Sequence, residues 1–129
     1  MPHVLIVDDS PTIRRMVKVA LAPLAMETVE AASGLEAIER LAVAPINLMV
    51  LDLNMPDMHG LEVLGFVRTH QKYRVLPVIV LTTRGDESTR QAAFQGGASS
   101  YLTKPFQPAS LAAEVGQLLA SAAGHGASR

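Results

Sequence analysis

The chain of 129 residues contains no cysteine. Disulfide staples, thiolate metal sites and cysteine nucleophiles are therefore excluded, and a reducing compartment fits the composition. Neither sign of charge is in excess, since 11 Lys and Arg stand against 12 Asp and Glu for a formal net charge of -1. Without a global basic field, nucleic-acid binding and attachment to anionic membranes lose their usual driving force. Long apolar runs are missing as well: stretches such as Leu48–Leu51 fall far short of the ~20 residues that cross a bilayer. Met1-Pro2-His3 provides no basic segment ahead of an apolar one, so no secretory signal is read here. The expected location is the cytoplasm, with no nucleic acid and no membrane insertion.

What is present suits one folded domain. Hydrophobic residues make up 49% and charged residues 18%, enough apolar side chain to build a single core at a length close to the usual ~100–200 residues per domain. The domain is expected over residues 1–123. The small-residue segment 124–129 is expected to be a disordered tail.

Short apolar runs alternate with amphipathic stretches. Val4–Val7 is rich in β-branched residues, too short for a helix, and stopped by Asp8-Asp9, which predicts a buried strand. Ser10 and Pro11 then supply an N-cap and a first-turn proline, and Ile13, Met16, Val17, Ala20 and Leu21 fall on one helical face that Pro23 ends. The same alternation predicts strands at 27–31, 48–51, 77–82 and 100–103. Helices are predicted at 34–41, 61–69, near 87–95 closed by Gly96-Gly97, and from a Ser110 cap onward, with Leu111, Val115, Leu118 and Leu119 on its inner face. Five strands alternating with five helices imply an α/β fold, an open, doubly wound parallel sheet covered on both sides. Ligands in such sheets bind at the carboxyl ends of the strands.

Those ends are where the polar residues lie. The first strand ends in Asp8-Asp9, the third in Asp52, the fourth in Thr82, and the fifth runs into Lys104-Pro105. Three converging carboxylates repel one another unless cations neutralise them. Lys104 can be one counter-charge, and a hard divalent ion such as Mg²⁺ is the natural other. An Asp carboxylate can attack phosphorus to form an acyl phosphate, leaving the protein mainly to position groups and neutralise charge.

Val7-Asp8-Asp9-Ser10, Leu51-Asp52-Leu53-Asn54-Met55-Pro56, Leu81-Thr82 and Lys104-Pro105-Phe106 together resemble the receiver domains of two-component response regulators, of the stand-alone CheY-like type. The resemblance spans about residues 3–120, and the combination of motifs is far more specific than any one of them. It implies a flavodoxin-like sheet of strand order 2-1-3-4-5. Carried over residue by residue, it makes Asp52 the phosphoacceptor, Asp9 the main side-chain ligand of Mg²⁺ (or Mn²⁺), Asp8 a ligand through water, and Asn54 a ligand through its backbone carbonyl. Thr82 and Lys104 would contact the phosphoryl group, Lys104–Pro105 would be a cis peptide, and Tyr101 would be the aromatic switch. The implied partners are a histidine kinase or histidine phosphotransfer protein and a downstream protein bound on the face of the fourth helix, fifth strand and fifth helix. No output domain is expected, which fits chemotaxis, motility or phosphorelay signalling rather than turnover of an external substrate.

Other readings stand beside this one. A phosphate sink for a shared kinase would share every motif. A metal-dependent aspartyl phosphatase would want a second acid two residues after its nucleophile, where Asn54 stands, and a flavin carrier would want neutral donors where Asp9-Ser10-Pro11-Thr12 is acidic. Met16, Met49 and Met55 are read as packing residues, and His3, His59, His70 and His125 as surface or loop residues without metal-ligand spacing. Arg14, Arg15 and Lys18 are read as a solvated helix face that the resemblance turns toward docking. Thr83 and His59 depart from the family pattern, and Thr83 and Arg84 bear on access to Asp52.

Overall fold

A computed structural model describes residues 1–127, with side chains described as far as residue 122. The strands are β1 (His3–Val7), β2 (Glu27–Ala31), β3 (Leu48–Asp52), β4 (Val78–Thr82) and β5 (Ser100–Thr103). They alternate with α1 (Pro11–Leu21), α2 (Gly34–Val43), α3 (Gly60–Thr69), α4 (Glu87–Gln95) and α5 (Pro108–Ala127). Every pairing is parallel, and the order is β2-β1-β3-β4-β5. Because β1 has β2 on one side and β3 on the other, the chain reverses direction there, and a crevice opens at the carboxyl ends of β1 and β3.

The strand pattern follows from coverage on both faces. β3 and β4 are buried along their whole length, which is why they read as unbroken apolar runs instead of alternating ones. Successive side chains still point to opposite sides. Leu5, Val7, Met49 and Leu51 pack with Leu41 of α2 and Leu64 of α3. Val4, Ile6, Val50 and Ile79 pack with Val17 of α1 and Leu111 of α5. Val80 meets Ala93 of α4, which completes the first of these two layers.

Helix termini explain most boundaries. Ser10 caps α1, its hydroxyl accepting the Ile13 N–H at 3.2 Å, with Pro11 at the first helical position. Pro23 lies in a 3-10 turn, Ala22–Leu24, directly after α1. Gly97, at φ +106°, closes the turn after α4 in a conformation that L side chains rarely adopt.

Two expectations change. α5 starts at Pro108 instead of after a Ser110 cap, since proline at the first helical position gives up an N–H that has no partner within the helix. It is described through Ala127. Residues 128–129 of the expected tail lie outside the described residues. Met49 and Met55 are buried, but Met16 is 41% exposed. It borders an open groove with Thr83, Pro105 and Phe106 instead of entering the core. Among the described residues no helix is long and apolar enough to cross a membrane.

Candidate functional site

The carboxyl ends of β1, β3, β4 and β5 gather the polar residues singled out by the sequence. Asp8 extends β1 and Asp52 ends β3, and both are almost fully buried, as is Thr82 at the end of β4. Asp9, one residue on, is exposed. Carboxylate oxygens of Asp8, Asp9 and Asp52 lie within 4.8 Å of one another. Lys104 reaches in from the end of β5, its Nζ 2.7 Å from Asp8 Oδ2 and 3.2 Å from Asp52 Oδ1. The Lys104–Pro105 peptide bond is cis.

The electrostatics of this cluster are unbalanced. Burial, followed by the charge of Asp8, pushes the Asp52 carboxyl above its usual value, and Lys104 offsets only part of that. Burial acts to lower Lys104, yet its hydrogen bond to Asp8 and the fields of Asp52 and Asp8 carry it above its ordinary value. Three carboxylates against one ammonium leave a surplus of negative charge in a cleft where water screens little. The donors are all oxygens, which suits a hard cation such as Mg²⁺.

The neighbouring loops fix the cluster. Ser10 N–H donates to Asp8 Oδ1 at 2.9 Å, which turns the chain from β1 into α1. Asn54 N–H donates to Asp52 Oδ1 at 3.4 Å, and the Asn54 side chain is exposed. The Thr82 hydroxyl accepts the Arg84 N–H at 3.2 Å. Tyr101 packs against the layer of Leu53, Val80 and Ala93, and its hydroxyl donates to the Arg84 carbonyl oxygen. Thr83 and Arg84 are exposed at the rim. A cleft of about 260 Å³ beside them is lined by Asn54, His59, Arg84, Ser88 and Thr89 among others.

Two residues contribute in ways the sequence did not reveal. Arg14, read as part of a solvated face, has a side chain only 16% exposed. Its Nη1 donates to the Asp8 carbonyl at 2.7 Å and its Nε to Glu30 at 2.8 Å, so it braces the end of β1 against β2. Arg15 and Lys18 are exposed. His59 is the N-cap of α3, its Nδ1 accepting the Leu61 N–H while Glu62 accepts the His59 N–H.

The sequence matches the family model described as the response regulator receiver domain over residues 4–116. The chain belongs to the response regulator receiver family. Among curated receiver proteins, a chemotaxis protein CheY homolog of Campylobacter jejuni is 38% identical over 125 residues, 95% of this chain and 96% of that one. Chemotaxis protein CheY1 of Helicobacter pylori is 41% identical over 106 residues, covering 81% of this chain and 86% of that one. Among solved receiver structures, chemotaxis response regulator CheY4 of Vibrio cholerae superposes with a TM-score of 0.85 at 36% identity, over 92% of this chain and 98% of that one. The receiver assignment accounts for the parallel five-stranded sheet and for the acidic pocket at its carboxyl edge.

Proposed function

We propose that this receiver domain is a phosphoryl-controlled switch, a single-domain response regulator in which Asp52 is the phosphoacceptor. The observation that carries the reading is the contact of one lysine, Lys104, with two buried carboxylates, Asp8 and Asp52, beside a third. Mg²⁺ would be held by Asp9, Asp52 and the Asn54 carbonyl, with Asp8 acting through water, and bound there it would neutralise charge on the phosphoryl oxygens.

Asp52 supplies the nucleophilic oxygen. In the transfer, the N–P bond of a phosphohistidine on a histidine kinase or phosphotransfer protein breaks, a bond from Asp52 Oδ to phosphorus forms, and the imidazole leaves with the electron pair and takes up a proton. Lys104 lies within reach of Asp52 and can pair with the incoming charge, and Thr82 can turn its hydroxyl from the Arg84 N–H toward it. The added charge then biases a pre-existing equilibrium toward an active surface on α4, β5 and α5, where a downstream protein would bind. The near full-length match to chemotaxis CheY proteins supports a role in motility signalling in the cytoplasm and argues against turnover of an external substrate.

Acetyl phosphate or phosphoramidate with Mg²⁺ should add one phosphoryl group to the intact mass, stable in acid and labile in base. Asp52→Asn should abolish it. Persistence of the same adduct in that variant overturns the assignment.

A further inference from the structure

The loop that leaves the phosphoacceptor strand is fastened at a point remote from the carboxylates. The first N–H groups of a helix have no acceptor within the helix. In α2 the helix's own cap serves one of them, with Ser33 Oγ accepting from Glu36 N–H at 3.1 Å. The N–H groups of Gly34 and Leu35 donate instead to the two carboxylate oxygens of Asp57, at 3.1 and 3.0 Å. Asp57 stands 22 residues after Leu35, in the loop between β3 and α3. A carboxylate spanning two successive N–H groups makes charge-assisted bonds and suits the positive end of the helix dipole.

The approach is close by construction. A Cβ at Gly34 would lie 2.8 Å from the Met58 Cβ, so glycine is what lets the loop reach the helix. At the base of the same loop, Gly60 N–H donates to the Leu53 carbonyl at 2.7 Å, and a Cβ at Gly60 would lie 2.4 Å from the Asp52 carbonyl oxygen. The loop is thus pinned at its base and, through Asp57, near its tip. Asn54 lies between the pins.

We infer that Asp57 is a positioning residue for the metal site: by capping α2 from the loop, it holds the Asn54 main-chain oxygen where the cation is bound. The inference rests on the reading of Asn54 as a carbonyl ligand given above. Fixing the loop lets the ion bind without first ordering its ligand, and the coupling is reciprocal, so a bound ion should also steady the start of α2.

Mg²⁺ titrated calorimetrically into the full chain, with amide hydrogen exchange at Gly34 and Leu35, tests this. Asp57→Ala should weaken Mg²⁺ binding about tenfold, the scale of a lost outer-shell partner. It should also erase the protection that Mg²⁺ gives those two amides. Asp57→Asn loses the same charge but keeps an oxygen acceptor, so it should recover part of the affinity. Ser33→Ala removes the helix's own cap and leaves the tether, so it should lower thermal stability and leave Mg²⁺ affinity unchanged. Equal losses in Asp57→Asn and Asp57→Ala would assign the effect to charge alone and overturn the inference, as would equal losses in Ser33→Ala and Asp57→Ala. Unchanged binding in Asp57→Ala overturns the inference and leaves the metal site standing, whereas a wild-type chain that binds no Mg²⁺ overturns both.

Discussion

Thr82 and Tyr101 meet at one residue: the Thr82 hydroxyl accepts the N–H of Arg84, and the Tyr101 hydroxyl donates to its carbonyl oxygen. The two side chains come from adjacent strands, with Val80 opposite Tyr101 and Thr82 opposite Thr103 in the register. A phosphoryl group that draws the Thr82 hydroxyl away would release one side of the Arg84 backbone while Tyr101 keeps the other. Under the proposed function, that shared grip would connect the site to the face of α4 and β5.

Thr82→Ala is therefore expected to accept phosphoryl but to transmit less. Amide shifts on adding beryllofluoride and Mg²⁺, where beryllofluoride stands in for the phosphoryl group, should spread over α4, β5 and α5 in the wild type and shrink there in the variant. Tyr101→Phe loses one hydrogen bond, about 0.5–1.5 kcal/mol of local stability, and should speed amide exchange in the turn that follows β4. Shifts confined to the loops around Asp9, Asp52 and Lys104 in the wild type would sink this account.

Two substitutions in the acidic cluster should move stability in opposite directions. Asp52 has a raised carboxyl pKa, so the folded chain binds its proton more readily than the unfolded chain, and its charged form costs stability at neutral pH. Asp52→Asn should gain stability at pH 7, seen as a higher melting temperature. The gain should shrink as pH falls toward the ordinary value of 3.8. Lys104→Met leaves two buried carboxylates without their ammonium and should lose about 3–5 kcal/mol at pH 7, with part of the loss restored by Mg²⁺.

Mg²⁺ itself should raise the melting temperature, because an ion that binds only the folded state stabilises it by ~2.7 kcal/mol at 100 times Kd. Asp9→Ala should remove most of that gain. The gain should also fall with pH, since the ion competes with the proton on Asp52. A melting curve indifferent to millimolar Mg²⁺ would remove the metal from the mechanism.

Asp86 caps α4, accepting from Thr89 N–H at 3.1 Å and from the Ser88 hydroxyl at 2.7 Å. The Ser88 and Thr89 hydrogen bonds hold its carboxyl well below the usual range. A lowered folded value means that the cap's contribution is present above the ordinary 3.8 and is lost as pH falls through the folded value. Amide exchange in the first turn of α4 should therefore stay slow down to pH 4. Asp86→Ala should speed it at neutral pH and flatten its dependence on acid.

The sheet was legible because it is written in local signals. Val4–Val7 and Val78–Leu81 are short β-branched runs ended by polar residues, and Ser10-Pro11 announces a helix start, so element type and order followed from periodicity. The acidic cluster was legible because topology brings all strand ends to one edge once the sheet is parallel. Arg14 and Asp57 were not. Each acts through main-chain atoms outside its own element, Arg14 on the Asp8 carbonyl after β1 and Asp57 on the start of α2, and main-chain partners leave no mark in a sequence. The exposure of Met16 was hidden for a related reason, since its helical spacing matches the core stripe while the groove it borders forms only when Thr83 and the loop after β5 meet α1.

The grip on Arg84 uses the N–H and the carbonyl oxygen of that residue and leaves its side chain at the rim, 63% exposed. Every amino acid except proline offers the same two atoms. Under the proposed phosphorylation of Asp52, a substitution at position 84 would change the rim of the site and the contact of Arg84 with Asp86 while leaving the main-chain bonds to Thr82 and Tyr101 in place. On that proposal, access to the site and the backbone relay that reads it would be inherited separately at a single codon.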